Sequence, residues 1–201
     1  MTNSPRNLFV LSTDLPVPTD DGACDHLTGM KLPPLVLLST KGRNINLRDT
    51  AQAPAVFFFY PKTGRPEDPT PADWDLIPGA RGCTPQSCGF RDRFAEFEHL
   101  GVKVFGISTQ STEYQQEFAE RVQIPFEILS DEKFHLTEAL RLPTFIYNSK
   151  RLIKRLAFFA EQGRIHKVFY PVFPPDRNAS MVFDWLRTSG MGQTNEVGAC
   201  E

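Results

Sequence analysis

Two continuous apolar runs dominate the pattern of hydrophobic and polar positions along the chain. Residues 53–60 (APAVFFFY) and 102–107 (VKVFGI) are rich in aromatic and β-branched side chains. Runs of this length are typical of central strands that are buried on both faces of a sheet. Between them, large apolar residues recur at spacings of three and four from Phe90 to Leu100, and Gly101 follows as a helix stop. The segment predicts a strand, a helix and a second strand parallel to the first.

Shorter patterns on both sides extend this unit. They predict a hairpin of residues 35–38 and 45–47, a helix over 111–122, a strand over 126–129, a short helix up to Leu140, an edge hairpin of 153–160 and 165–172, and a last helix that Asn178 caps and Gly190 ends. This order indicates an α/β fold in which helices flank a central mixed β-sheet and an N-terminal hairpin precedes them. The thioredoxin-like fold has this arrangement.

The chain divides into three parts by its composition. Residues 1–30 are polar and proline-rich and predict an irregular arm, 31–189 carry the regular patterns of one domain, and 190–201 predict a flexible tail. Within the domain we expect a long loop over residues 62–81, because residues 61–81 hold five prolines and four acidic residues. Loops longer than about 12–15 residues are uncommon in compact domains and are often functional.

Charge and hydropathy exclude several classes of function. The 201 residues have a net charge of −2, and their basic residues are scattered, which argues against nucleic-acid binding. No apolar run approaches the ~18 residues that a membrane span needs, and the N-terminal stretch is a poor signal peptide. We therefore expect a soluble cytoplasmic protein that binds neither nucleic acid nor membranes.

Four cysteines, Cys24, Cys83, Cys88 and Cys200, are the main candidates for chemistry. In a reducing cytoplasm they are not expected to form a structural disulfide framework. Cys24 and His26 have the spacing of a metal-binding pair, but no second pair accompanies them, so we predict no metal site. Cys200 is expected to be a free thiol of the tail.

Cys83 lies where the long loop gives way to the first crossover helix. Pro85 supports this boundary, because proline is tolerated in the first turn of a helix. A thiol there faces free N–H groups and the positive end of the helix dipole, which favour the thiolate, and Arg81 adds positive charge. Ligands of α/β sheets bind at the carboxyl ends of strands. Cys83 is therefore a candidate nucleophile; the alternative is an ordinary buried cysteine.

Cys88 follows five residues after Cys83, and helix geometry constrains the pair. An intact helix holds two Cα atoms at this spacing about 8–9 Å apart and on different faces. A disulfide needs a Cα separation below ~7 Å. Bond formation between the two would therefore require at least the first helical turn to unwind. The spacing fits a redox cycle with a local unfolding step, and two inert core cysteines are the alternative.

Three segments, YPK (60–62), GCTPQSCGFRD (82–92) and VFGIST (104–109), resemble the bacterioferritin-comigratory, or Q-type, peroxiredoxins. The likeness covers roughly residues 30–187. It implies a thioredoxin-like fold and the thiol-dependent reduction of hydrogen peroxide or organic hydroperoxides without a cofactor. It further implies an intramolecular disulfide that a thioredoxin- or glutaredoxin-type protein reduces. The enzyme is expected to be a monomer or a homodimer.

The same resemblance assigns roles to single residues. Cys83 becomes the peroxidatic cysteine, oxidised to a sulfenic acid, and Cys88 the resolving cysteine. Arg155 matches the arginine that holds the thiolate and stabilises developing oxyanion charge; its alternative is an exposed edge-strand position. Pro61 matches a proline that shields the cysteine from solvent, or it simply ends a strand. Three more residues complete the expected substrate-binding surroundings: Gly82, Thr84 and Gln86.

The sequence departs from the family pattern in two places. The family has Thr or Ser three residues before the nucleophile, where its hydroxyl orients the peroxide; here that residue is Ala80, and Thr63 or Thr84 are the candidate substitutes. The loop before Cys83 is also about 15 residues longer than usual, so it covers the site, forms a subunit contact or receives the reductant.

Two other functions are alternatives to a peroxidase. A general thiol–disulfide oxidoreductase would carry a CxxC motif, which this sequence lacks. The remaining hypothesis is a thiol-based redox sensor that uses the same cysteine pair without high turnover.

Overall fold

The structure is a computed structural model that describes residues 7–68 and 71–191, with Ala72 described by its backbone alone. Residues 1–6 of the expected arm and 192–201 of the expected tail, which include Cys200, lie outside the described residues.

Nine strands and six α-helices lie within these described residues. The strands are β1 (Val36–Ser39), β2 (Asn44–Asn46), β3 (Ala55–Phe59), β4 (Lys103–Ser108), β5 (Glu127–Ser130), β6 (Thr144–Tyr147), β7 (Lys150–Ile153), β8 (Leu156–Glu161) and β9 (Arg164–Phe169). The helices are α1 (Leu47–Thr50), α2 (Cys83–Asp92), α3 (Phe94–His99), α4 (Thr112–Arg121), α5 (His135–Ala139) and α6 (Asn178–Ser189).

Seven strands form a mixed sheet in the order β2-β1-β5-β4-β3-β8-β9. The strands β3, β4 and β5 pair in parallel, and the others pair with their neighbours antiparallel. The predicted parallel pair and the predicted mixed sheet are therefore confirmed. The carboxyl end of the central strand β3 leads directly into the long loop.

The central strand β3 is buried along its whole length, as its continuous apolar run predicts. Alternate side chains enter different cores, because successive residues of a strand point to opposite faces. Phe58 lies in the core under α2, α3, α4 and α6, where its ring stacks on Phe90 at 4.2 Å between ring centroids. Phe57 and Phe59 lie in the second core, with Leu47 of α1 and Leu136 of α5.

The helix expected over the Phe90–Leu100 pattern is two helices rather than one. The first, α2, already begins at Cys83, and Arg93 leaves the helical conformation before α3 begins. Asn178 does begin the last helix, but its side chain does not cap it, so that prediction is wrong. Gly190 ends the helix in the left-handed conformation, as predicted.

The predicted edge hairpin consists of β8 and β9, whose outer ends lie three residues inside those expected and whose turn ends extend one residue beyond them. A further hairpin, β6–β7, precedes it and was not predicted. Its two-residue turn, Asn148-Ser149, has positive φ at both positions, at 47° and 59°. Turns of this kind usually carry a glycine. The sequence gives no such signal here, and the strands are only four residues long.

The long loop is anchored by its one large aromatic residue. A 3₁₀ helix, Ala72–Leu76, presents Trp74 to the β6–β7 hairpin, where its ring contacts Tyr147 at 5.0 Å between centroids. The Tyr147 hydroxyl donates to Asp73 Oδ1 at 2.9 Å. The unpredicted hairpin is thus the surface on which the long loop packs.

Candidate active site

Cys83 opens α2 at the point where the long loop ends, and its side chain is 4% exposed. The preceding residue, Gly82, has a φ of +103°, which side chains rarely adopt. A Cβ at this position would also lie 2.5 Å from Pro175 Cγ. Only glycine therefore lets the chain enter α2 with Cys83 as its first residue.

Arg155 lies in the link between β7 and β8 and is 3% exposed. Its Nη2 donates to Cys83 Sγ at 3.3 Å, so the guanidinium is in direct contact with the sulfur. The same nitrogen donates to the carbonyls of Ala80 at 3.0 Å and Arg81 at 3.1 Å, and Nε donates to that of Gly79 at 3.2 Å. These carbonyls fix the guanidinium plane, and the sulfur is the one contact that can carry a full negative charge.

Gln86 holds the other edge of the guanidinium. Its Oε1 accepts a hydrogen bond from Arg155 Nη1, and its Nε2 donates to Asn178 Oδ1 at 2.8 Å. A longer bond of 3.5 Å joins Nε2 to the carbonyl of Phe59 at the end of β3. Gln86 therefore connects Arg155 to both the sheet and α6.

Cys88 lies in the same helix as Cys83, five residues on, and α2 is continuous between them. An intact helix separates their Cα atoms by about 8–9 Å. The Cys88 side chain is 8% exposed and belongs to the core that contains Phe90 and Phe97. Burial raises the pKa of its thiol. In this conformation Cys88 is a protonated core residue that cannot reach Cys83.

A cleft of about 620 Å³ opens above Cys83. The lining comes from the long loop, the start of α4, the β6–β7 hairpin and the arm, and it combines apolar, hydroxyl and cationic side chains. A small molecule entering it meets Cys83, next to which Arg155 lies. A thiol, a fixed cation and an access route thus meet at one end of α2.

Comparison with known proteins decides the family. The Redoxin family model matches residues 27–183. The chain is 31% identical to peroxiredoxin Bcp of Escherichia coli K12 over 159 residues, which cover 77% of this chain and 92% of that protein. It is 30% identical to chloroplastic peroxiredoxin Q of Sedum lineare over 161 residues, covering 80% and 77% respectively. This chain belongs to the Q/Bcp peroxiredoxins.

Solved structures agree with this assignment. The crystal structure of peroxidoxin BcpB from Mycobacterium tuberculosis matches the present structure with a TM-score of 0.66 and 26% sequence identity. The match covers 80% of this chain and 96% of the BcpB chain. A PrxQ mutant from Xylella fastidiosa has the same fold, with a TM-score of 0.66. The predicted thioredoxin-like fold and the predicted enzyme class, a thiol peroxidase, are confirmed. The family implies a peroxide substrate and a thioredoxin-type reductant.

Ala80 stands where the family pattern has a hydroxyl, and the structure shows what its backbone contributes instead. Its carbonyl lies 3.6 Å from Cys83 Sγ and accepts from Arg155, while its methyl group is fully buried. The two hydroxyl residues named as substitutes, Thr63 and Thr84, both line the cleft. The Thr63 hydroxyl donates to Gln110 Oε1 at 3.2 Å, which ties it to the start of α4.

Pro61 is not among the residues that line the cleft. It is buried, and its carbonyl accepts from Ser108 Oγ at 3.3 Å. The next two residues, Lys62 and Thr63, form the lining of the cleft at this point. The structure therefore places Gly82 and Thr84 beside Cys83 in the lining of the cleft and Gln86 against Arg155, whereas Pro61 is buried outside that lining.

Arg81 lines the cleft beside Cys83, as expected, whereas three further cations of the lining were not predicted. Lys62 Nζ lies over the rings of Trp74, at 4.7 Å from the centroid, and Tyr147, at 5.3 Å. Burial lowers the pKa of Lys62. Lys150 and Arg151 of β7 join it in the lining. Their contribution depends on the β6–β7 hairpin, so no local sequence signal could have placed them here.

The remaining candidates for chemistry lie elsewhere. Cys24 is buried in the second core, and burial together with Asp21 raises its pKa to about 12. His26 Nε2 is hydrogen-bonded to the carbonyl of Leu140 at 2.9 Å. In residues 7–68 and 71–191, no group of three or more His, Cys, Asp or Glu side chains could hold a metal. No helix in this described part is long and apolar enough to cross a membrane.

Proposed function

We propose that this peroxiredoxin reduces hydroperoxides with Cys83 as the peroxidatic cysteine and Arg155 as its catalytic cation. The observation that carries the proposal is the 3.3 Å contact between Arg155 Nη2 and the Sγ of Cys83, a residue that lines the cleft. Three backbone carbonyls and Gln86 Oε1 together hold the guanidinium against the sulfur. The guanidinium stabilises negative charge that develops on oxygen beside it during the reaction.

In the first step, the Cys83 thiolate attacks the terminal oxygen of ROOH. A sulfur–oxygen bond forms while the O–O bond breaks, so that Cys83 becomes a sulfenic acid and RO⁻ leaves. The alkoxide takes up the proton that the thiol had lost and departs as ROH. Arg155 acts on the departing oxygen, because one of its N–H groups already points at the site of attack.

In the second step, Cys88 attacks the sulfur of the Cys83 sulfenic acid. A disulfide forms, and the hydroxyl leaves as water. Since the intact α2 keeps the two residues about 8–9 Å apart, this step requires at least the first turn of α2 to unwind. The buried Cys88 thiol leaves its core position in the same movement.

A thioredoxin- or glutaredoxin-type protein then reduces the Cys83–Cys88 disulfide by thiol–disulfide exchange. The net reaction converts ROOH and two thiols to ROH, water and a disulfide. The cysteine sulfur supplies the electrons, so the cycle needs no cofactor. We place the enzyme in the cytoplasm, where such reductants keep thiols reduced, as a monomer or a homodimer.

Four further residues shape the site in this proposal. Gly82 allows the helix to begin at the nucleophile, and Thr84 presents a hydroxyl to the cleft from the first turn of α2. Gln86 orients Arg155. Pro61 supports the wall that shields Cys83 from bulk water.

The decisive experiment measures peroxide consumption by wild type, Cys83→Ser and Cys88→Ser with either dithiothreitol or a thioredoxin system as reductant. We expect Cys83→Ser to be inactive with both reductants. Cys88→Ser should keep activity with dithiothreitol, which can reduce the sulfenic acid directly, and lose it with thioredoxin. Full activity of Cys83→Ser would overturn the proposal.

The same assay separates an enzyme from a redox sensor. An enzyme consumes many equivalents of peroxide per chain while the thioredoxin system is running. A sensor stops after one equivalent, because its oxidised form is the signal. Consumption of no more than one equivalent under continuous reduction would favour the sensor over the enzyme.

A further inference from the structure

Asn178 ends a chain of hydrogen bonds that starts at the sulfur of Cys83. Arg155 contacts the sulfur, Gln86 Oε1 accepts from Arg155, and Asn178 Oδ1 accepts from Gln86 Nε2 at 2.8 Å. Gln86 and Asn178 are both fully buried. The chain runs from the nucleophile through the link between β7 and β8 to the first residue of α6.

The chemistry of the groups sets the direction of this chain. A guanidinium can only donate, so the carbonyl oxygen of Gln86 must face Arg155. The amide nitrogen of Gln86 then points away and needs an acceptor, which is Asn178 Oδ1. Asn178 Nδ2 has no hydrogen-bond partner among the described residues. The contribution of Asn178 to this part of the protein is therefore its acceptor oxygen.

Packing holds Asn178 in a fixed place. The start of α6 and the preceding turn lie directly against α2, where a Cβ on Gly89 would come within 3.1 Å of the Asp176 carbonyl and 3.6 Å of Ala179 Cβ. Val182, one turn further along α6, is fully buried in the same core. The Asn178 oxygen thus acts from a rigid support.

We propose that Asn178 is a positioning residue for the peroxidase reaction, acting through Gln86 on Arg155. The inference rests on the proposed role of Arg155. Without the Asn178 acceptor, Gln86 Nε2 retains only the 3.5 Å contact to the Phe59 carbonyl, so the orientation of the amide is held less firmly. A rotated amide presents a donor to Arg155, which releases the guanidinium from its orientation toward the sulfur.

The position of Gln86 in α2 adds a second consequence. Gln86 lies between Cys83 and Cys88, so unwinding of this part of α2 pulls it away from both Asn178 and Arg155. The Asn178 bond therefore stabilises the intact helix, in which Cys83 reacts with peroxide, against the unwound form that makes the disulfide. Its loss slows the first step and speeds the second.

The test compares Asn178→Leu, which keeps the branching at Cγ in a larger side chain and has no acceptor, with Asn178→Asp, which keeps an acceptor oxygen at the same place. Rapid-mixing experiments measure the rate of Cys83 oxidation by hydrogen peroxide and, separately, the rate of disulfide formation. We expect Asn178→Leu to slow oxidation on the order of tenfold, the equivalent of one lost hydrogen bond, and to accelerate disulfide formation. Asn178→Asp should recover most of the oxidation rate.

Val182→Ala is the matched control, because it loosens α6 without touching Gln86. The inference is overturned if Val182→Ala reproduces both rate changes, or if Asn178→Leu slows or leaves unchanged the disulfide step. Arg155→Met, measured beside them, separates this inference from the proposed function. If Arg155→Met oxidises at the wild-type rate, the role of Arg155 is wrong; if it is slow while Asn178→Leu is not, only the inference about Asn178 fails.

Discussion

Arg155 Nη2 lies 3.3 Å from Cys83 Sγ, although 72 residues separate the two in sequence. The sheet brings them together, because β8 pairs with the central strand β3, whose carboxyl end leads through the long loop to α2. Both side chains are almost fully buried, so bulk water screens their interaction little. The two groups therefore interact in a site from which bulk water is largely excluded.

Arg155→Met should reduce kcat/KM for hydrogen peroxide by about 100-fold or more, the scale for loss of a fixed oxyanion donor. Arg155→Lys should keep more activity, since it retains the charge but cannot reproduce the several directed bonds of a guanidinium. Steady-state and single-turnover peroxide reduction would check both. Arg151→Met removes a cation from the cleft lining without touching Cys83, and we expect less than about a threefold effect. Equal losses at both positions would show that only the general positive field matters.

Gly82→Ala should be strongly destabilising, because it combines a φ of +103° with a Cβ 2.5 Å from Pro175. We expect a loss of more than about 2 kcal/mol in the free energy of unfolding and a matching loss of peroxidase activity, as α2 shifts away from Arg155. Gly42→Ala is the control for strain alone, since its φ is +72° and no atom lies within 4 Å of the added Cβ. Urea unfolding of both variants gives the comparison. Similar losses would mean that the contact with Pro175 contributes nothing.

The local sequence carried enough information to place Cys83 at the start of a helix. The apolar run of β3, the proline two residues after Cys83 and the spacing to Cys88 are all signals within a short window. Arg155 could be assigned only through the family resemblance, because its contact with Cys83 depends on how distant strands pair. Local pattern cannot encode such a pairing.

The β6–β7 hairpin and the role of Asn178 could not be predicted either, because both depend on tertiary contacts that the local sequence does not encode. The hairpin has four-residue strands and a turn without glycine, so its local signal is weak, and its stability comes from packing against the long loop. The sequence predicts that Asn178 caps the last helix, because asparagine is favoured at the N-cap position. The buried amide of Gln86 uses the same oxygen, and a tertiary contact overrides the local preference.

Trp74 should control how firmly the long loop is held over the cleft. Trp74→Ala removes the buried ring that packs on Tyr147, so the loop is released and trypsin should cut faster at Lys62 or Arg81. The loss in global stability should be smaller than the about 3–5 kcal/mol usual for a buried tryptophan, since the loop can open without unfolding the sheet.

Tyr147→Phe is the matched control for Trp74→Ala. It keeps the ring that Trp74 contacts and removes only the hydrogen bond to Asp73, worth about 1 kcal/mol. Its cleavage rate should therefore rise much less. If the cleavage rates of wild type and Trp74→Ala are the same, the aromatic contact does not hold the loop.

Asp21 should make a contribution to stability that depends on pH. Lys154 Nζ at 2.7 Å and the Tyr170 hydroxyl at 2.8 Å both donate to its carboxylate, and these bonds lower the pKa of Asp21 from 3.8 to about 2. A pKa that is lower in the folded protein means that the contribution is complete above pH 3.8 and is lost as the pH falls toward 2. Wild type should therefore exceed Asp21→Asn in unfolding free energy at pH 6, and the difference should shrink steadily below pH 4. Urea titrations at pH 6, 4 and 2.5 would measure it, with Asp184→Asn, on the exposed side of α6, as the control. A difference that stays constant across this range would show that the carboxylate charge has no part in holding the arm.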